Sequence, residues 1–128
     1  MEEVKYIQGD LVKLNGKTVK ITFAGHDVIE YIPLDRRGGD EWRTSRKLIE
    51  PIPLTPEILV KNGWKNDGYD WYKLPTKRAY LYITKDITTL GEFLVCVGLD
   101  RHNLASISFV HQLQHLLFGL NLPMDLKV

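Results

Sequence analysis

The chain has 128 residues, 44% of them hydrophobic and 26% charged, with 17 basic residues against 16 acidic ones and a formal net charge of +1. That length suits one domain or two very small ones, and the composition is that of an ordinary globular protein rather than a disordered or low-complexity chain. The charge balance excludes a general electrostatic pull toward nucleic acid or anionic lipid, so any such binding must come from a local patch.

The first fifty residues read as strands. Asp10-Leu11-Val12-Lys13-Leu14 runs into Asn15-Gly16, and Val19, Ile21 and Phe23 then alternate with Lys20 and Thr22. Alternation of this kind marks a half-buried strand, and Asn-Gly supplies the two positive-φ residues of a type I′ hairpin turn. Ala24-Gly25-His26-Asp27 turns the chain into a strand from Val28 to Leu34, a polar loop follows, and Trp42 to Ile49 is the last strand. Short strands with turns every few residues predict a small SH3-like β-barrel over residues 1–50.

Pro51-Ile52-Pro53-Leu54 is a rigid connector to a second, α+β unit over residues 51–128, the two sharing a core. Thr55 as N-cap, Pro56 at the first helical position and Glu57 in the first turn announce a two-turn helix that Asn62-Gly63 ends. Asp67-Gly68 marks a turn, and strands are expected at Tyr69 to Leu74, Ala79 to Thr84 and Glu92 to Val97 as a three-stranded antiparallel meander. Residues 98–103 read as a loop. From Ser106 to Phe118, Ile107, Val110, Leu113 and Leu117 recur at helical spacing, so a helix closes the sheet, and Met124 to Val128 makes a short edge strand.

The single cysteine, Cys96, sits in the apolar run Phe93-Leu94-Val95-Cys96-Val97 and reads as a buried, inert thiol in a reducing compartment. The N-terminal Met1-Glu2-Glu3-Val4-Lys5 lacks the basic-then-apolar pattern of a signal peptide, and no apolar run approaches the ~20 residues of a membrane helix. A cytoplasmic protein with no membrane partner is therefore expected.

Three constellations could carry chemistry. His111 and His115 stand four apart on the expected helix, the spacing of a zinc pair, but Gln112 replaces the Glu that a metalloprotease needs as its base. No third ligand lies at a diagnostic spacing, so no metal or cofactor is expected, and the same residues suit the polar or interfacial side of the helix. Arg36, Arg37, Arg43, Arg46 and Lys47 surround Trp42 and could grip phosphates and stack a base. Asp35, Asp40 and Glu41 dilute that charge, and a solvated sheet edge explains the same set. Trp64, Tyr69, Trp71, Tyr72, Tyr80 and Tyr82 form an aromatic set suited to a core, a ligand platform or a subunit interface. The chain carries no Gly-x-Gly-x-x-Gly, P-loop, Gly-x-Ser-x-Gly or Cys-x-x-Cys sequence, and nothing in it points to an enzyme.

Ile52-Pro53-Leu54-Thr55-Pro56-Glu57-Ile58-Leu59, followed by Lys61-Asn62-Gly63-Trp64, resembles a segment of short uncharacterised proteins from prophages and mobile elements of gut bacteria. Val110-His111-Gln112-Leu113-Gln114, followed by Leu117-Phe118, resembles the helix near their C-terminus, in the same order and spacing. The resemblance implies a phage-linked origin and a shared α+β layout, and carries no known activity. The expected function is that of a non-enzymatic, phage-type binding protein that self-associates as a homo-oligomer, with a host protein, nucleic acid or a nucleotide all open as its ligand. The alternatives are a nucleic-acid-binding accessory protein, or a binder of a phosphorylated small molecule or signalling nucleotide using Arg101, His102, His111 or aromatics.

Overall fold

A computed structural model describes residues 5–34, 42–66, 68, 71–76, 80–85, 92–98 and 102–128, with residue 102 described for its backbone alone. The chain divides into two compact units. The first comprises Met1–Pro53 with Phe109–Leu126, and the second Leu54–Ser108 with Lys127–Val128.

The first unit holds strands β1 (Leu11–Leu14), β2 (Lys17–Ala24), β3 (Val28–Pro33), β4 (Trp42–Ser45) and β5 (Ile49–Pro51), together with helix α2 (Val110–Gly119). Asn15 and Gly16 take φ of 52° and 80°, as the type I′ turn requires, and place Leu14 opposite Lys17. Val12, Val19, Ile21 and Ile29 are wholly buried or nearly so, and with Tyr6, Leu14 and Ile49 they form one apolar cluster. The alternation read from the sequence selects the buried face as far as Ile21, but Phe23 is 56% exposed, because the ladder with β3 shifts register between Ile21 and Phe23.

The expected barrel does not form. The strands make an open antiparallel sheet in the order β4-β3-β2-β1-β5. Closure needs every strand to have two neighbours. Here the run from Trp42 to Ile49 is broken by a 3₁₀ turn at Arg46–Leu48, which leaves β4 paired to β3 and the three-residue β5 paired to β1. Ser45 caps the turn, its hydroxyl accepting from the Lys47 N–H at 3.4 Å.

The second unit contains α1 (Pro56–Lys61) and strands β6 (Lys65–Asn66), β7 (Trp71–Pro75), β8 (Tyr80–Lys85), β9 (Phe93–Val97) and β10 (His102–Ile107). Its sheet has five antiparallel strands in the order β10-β9-β8-β7-β6, not the three expected. The fold among the described residues is therefore mostly β, two open five-stranded sheets with two helices, rather than the α+β layout read from the sequence. Leu81, Tyr82 and Ile83 are consecutive and all buried, so β8 is covered on both faces. Trp71 meets Tyr82 edge-to-face across β7 and β8 with ring centroids 6.2 Å apart. Cys96 is buried and its thiol donates to Asn103 Oδ1 at 3.1 Å.

Helix α1 forms as its sequence signals dictate. Thr55 Oγ1 accepts from the Ile58 N–H at 3.3 Å, Pro56 opens the first turn, and Gly63 leaves it at φ +89°. Leu59 is its one buried residue, so this short helix depends on its cap and on that anchor. Thr55→Ala is expected to lower stability by about 1 kcal/mol in urea unfolding, through loss of the capping bond.

Helix α2 belongs to the first unit, where it packs on β1, and begins at Val110 rather than Ser106, because Ser106 and Ile107 are the end of β10. Its N-cap is Phe109, which has no acceptor to offer. Gln112 supplies half of a capping box instead, its Oε1 accepting from the Phe109 N–H at 3.0 Å. The Val110 N–H is held by Ile52 O at 2.8 Å. The edge strand expected at Met124 to Val128 is absent, and side chains bond that backbone instead. Gln114 does so within the first unit and Asn62 within the second.

Candidate functional site

Two places in the first unit stand out, one buried and one open.

The buried one begins with Asp10, which has no solvent exposure. Its Oδ2 accepts from the Ile7 N–H at 2.8 Å and lies 2.7 Å from His115 Nε2. One turn earlier on α2, His111 is 2% exposed and lies among rings. Tyr6 is 5.0 Å away centroid to centroid, Phe109 is nearly parallel at 5.9 Å, and His115 is at 5.5 Å. Burial pushes the His111 pKa down to about 4, with the Asp10 charge opposing that shift and His115 adding to it. Burial also raises the Tyr6 phenol, while the Arg46 guanidinium, 5.5 Å from its ring, pulls the other way. Asp10 Oδ1 and His111 Nδ1 are buried with no hydrogen-bond partner among the described residues.

Gln114 completes this layer. Its Oε1 accepts from the Leu11 N–H at 2.9 Å, and its Nε2 donates to Gly9 O and to Met124 O, each at 3.0 Å. One side-chain amide therefore satisfies three backbone groups in the interior. A paired Asp and His can serve as the base half of a nucleophilic site. Among the described residues, however, no hydroxyl or thiol is bonded to His115, and no group of three His, Cys, Asp or Glu side chains is placed to hold a metal ion. What the cluster does is tie α2 to the turn that opens β1. His111, read from the sequence as suited to the polar or interfacial side of the helix, lies on its buried face, as does Gln114.

The open place is a groove of about 320 Å³ on the core face of the first sheet. Leu14 and Val19, nearly buried, form its floor, and Tyr31, Pro33 and Trp42 its walls. Asn15 and Lys17, from the hairpin tip, give it a polar rim. Tyr31 and Trp42 are register partners across β3 and β4, so their side chains share this face. Trp42 is 49% exposed although it continues the row of buried residues.

The basic residues flanking Trp42 are in part engaged within the protein. Arg43 Nε donates to Glu30 Oε1 at 3.0 Å, and Arg46 Nη1 donates to Gly25 O at 3.2 Å. Arg36, Arg37 and Arg101 lie outside the described residues, as do Tyr69 and the side chain of His102. Asp10 and Gln114 were not singled out as site residues from the sequence. A signal for Gln114 existed, because it stands four after Val110 and three before Leu117, in the apolar stripe itself.

Compared with known proteins, the chain matches no family model, no curated protein and no solved structure. No helix among the described residues is long and apolar enough to cross a membrane.

Proposed function

We propose that this chain is a non-enzymatic binding protein that takes a peptide segment of a partner protein in the groove between the hairpin tip and Trp42. The observation that carries the reading is a half-exposed tryptophan set beside a tyrosine and a proline over an apolar floor. A large aromatic left in solvent next to a concave apolar surface is the usual anchor of an interface. The groove's volume is at the small end for a ligand site and suits one or two side chains of a peptide better than a cofactor. The nucleic-acid reading is less favoured, because Arg43 and Arg46 already bond Glu30 and Gly25 O. A phage origin is supported only by the resemblance of the two segments quoted above.

Peptides selected on the full chain from a random twelve-residue display library provide the test. Burying about 20 non-hydrogen atoms at about 0.3 kcal/mol each gives a Kd on the order of 10–100 µM. Trp42→Ala is expected to weaken that binding by about 30-fold, an effect of about 2 kcal/mol. Selection of no peptide, or equal affinity for the variant, would remove the groove as the binding surface. A concentration-dependent mass with no peptide selected would point instead to a second copy of the chain.

A further inference from the structure

Apart from Asn15 at the hairpin tip, the residues of the groove fall into three cross-strand pairs. Tyr31 stands opposite Trp42, Val19 opposite Pro33, and Leu14 opposite Lys17. From one pair to the next the path moves over by one strand and along by two residues. With strands ~4.8 Å apart and a rise of ~3.4 Å per residue, neighbouring pair centres stand about 8 Å from one another. The groove is thus a diagonal across β4, β3, β2 and β1, with one pair at each gap between strands.

The sheet beneath restricts what can lie along that diagonal. β1, β2 and β3 each have a strand on both sides, so the backbone under the groove is already paired. A ligand in β conformation would find no ladder there and would turn its own N–H groups onto an apolar floor, which is costly. A polyproline II segment needs no ladder, carries no N–H at its prolines, and is already extended before it binds. Segments of this kind dock on aromatic-lined grooves, and here the lining is Trp42, Tyr31 and the Pro33 ring. Their turn of three residues advances ~9 Å, close to the step between the pairs. Lys17, at the far end of the diagonal, is exposed and in no ion pair among the described residues.

From this geometry we infer that the occupant is a proline-rich peptide in the polyproline II conformation, laid diagonally across the strands. Two prolines three residues apart rest on the Tyr31–Trp42 and Val19–Pro33 pairs. An acidic residue one turn further along lies beside Lys17, where its charge is complementary. The inference rests on the groove being the binding surface, and it specifies what that surface takes.

The probes are the library-selected peptides, bound to the full chain and then remade with alanine at each position in turn. The expected consensus has prolines at a spacing of three. Alanine in place of either proline should weaken binding about tenfold, and at the two residues between them hardly at all. Lys17→Glu, an exposed change that leaves Trp42 in place, should exchange the acidic residue of the consensus for a basic one. Selected peptides without proline, with a period of two or with helical spacing, would overturn the polyproline conformation; their sensitivity to Trp42→Ala would in that case still uphold the groove. A consensus unchanged by Lys17→Glu would overturn the acidic end. Binding that ignores Trp42→Ala would remove the groove itself and this occupant with it.

Discussion

Gln114→Leu is expected to lower the stability of the protein by about 3–5 kcal/mol, measured by urea unfolding at neutral pH. The replacement keeps the helix propensity and the approximate volume, so the loss is one of hydrogen bonding. Three backbone groups would lose their partner: the buried Leu11 N–H and the partly buried Gly9 O and Met124 O. Each unsatisfied group costs about 1–3 kcal/mol, with relaxation reducing the sum. Gln112→Leu is the matched control two residues away. It removes the half cap at Phe109 while leaving the three bonds of Gln114 in place, and should cost about 1 kcal/mol or less. Equal effects of the two substitutions would mean that Gln114 does not clamp the interior.

The second large effect is a loss of stability in acid that depends on His111. Its folded pKa is about 4 against an ordinary value of 6.5, so the folded state binds fewer protons than the unfolded chain between those pH values. Stability is therefore full above pH 6.5 and falls progressively as the pH drops toward 4. The total is about 3 kcal/mol at most, and the loss saturates once both states are protonated. The groups around the imidazole set that direction. Tyr6 and Phe109 desolvate it and His115 adds a like charge on protonation, while Asp10 only partly offsets them. Carboxylates elsewhere also titrate in acid, so the comparison is with His111→Phe. The variant should flatten the dependence of the urea midpoint on pH between 4 and 6.5. Parallel profiles for the two proteins would show that His111 is not buried neutral.

Much of the local structure was legible in the residues. The Asn15-Gly16 hairpin and the Thr55-Pro56 helix start were written in short-range chemistry, and both stand as read. What escaped depends on pairing between distant segments. β10 reads as a loop and a helix start because Leu104 is an extra residue between Asn103 and Ala105, a bulge that breaks the period of two. β6 has two residues and no pattern of its own, and exists through its pairing with Lys73 and Tyr72. Barrel closure was inferred from the number and spacing of strands, which say nothing about whether β4 and β5 meet. The site was half legible. The residues point to Trp42 and His115, whereas Asp10 reads only as the start of the first strand, because its partner His115 lies 105 positions away.

The groove is the centre of the functional account, and backbone amide chemical-shift mapping tests it most directly. The full chain, labelled with nitrogen-15, would be titrated with one library-selected peptide. Binding in the groove gives saturable shifts at Leu14, Asn15, Lys17, Val19, Tyr31 and the Trp42 indole, with those of the second unit unmoved. Shifts centred instead on exposed Tyr80 and Leu104 of the second sheet, or on Phe118 of α2, would contradict it.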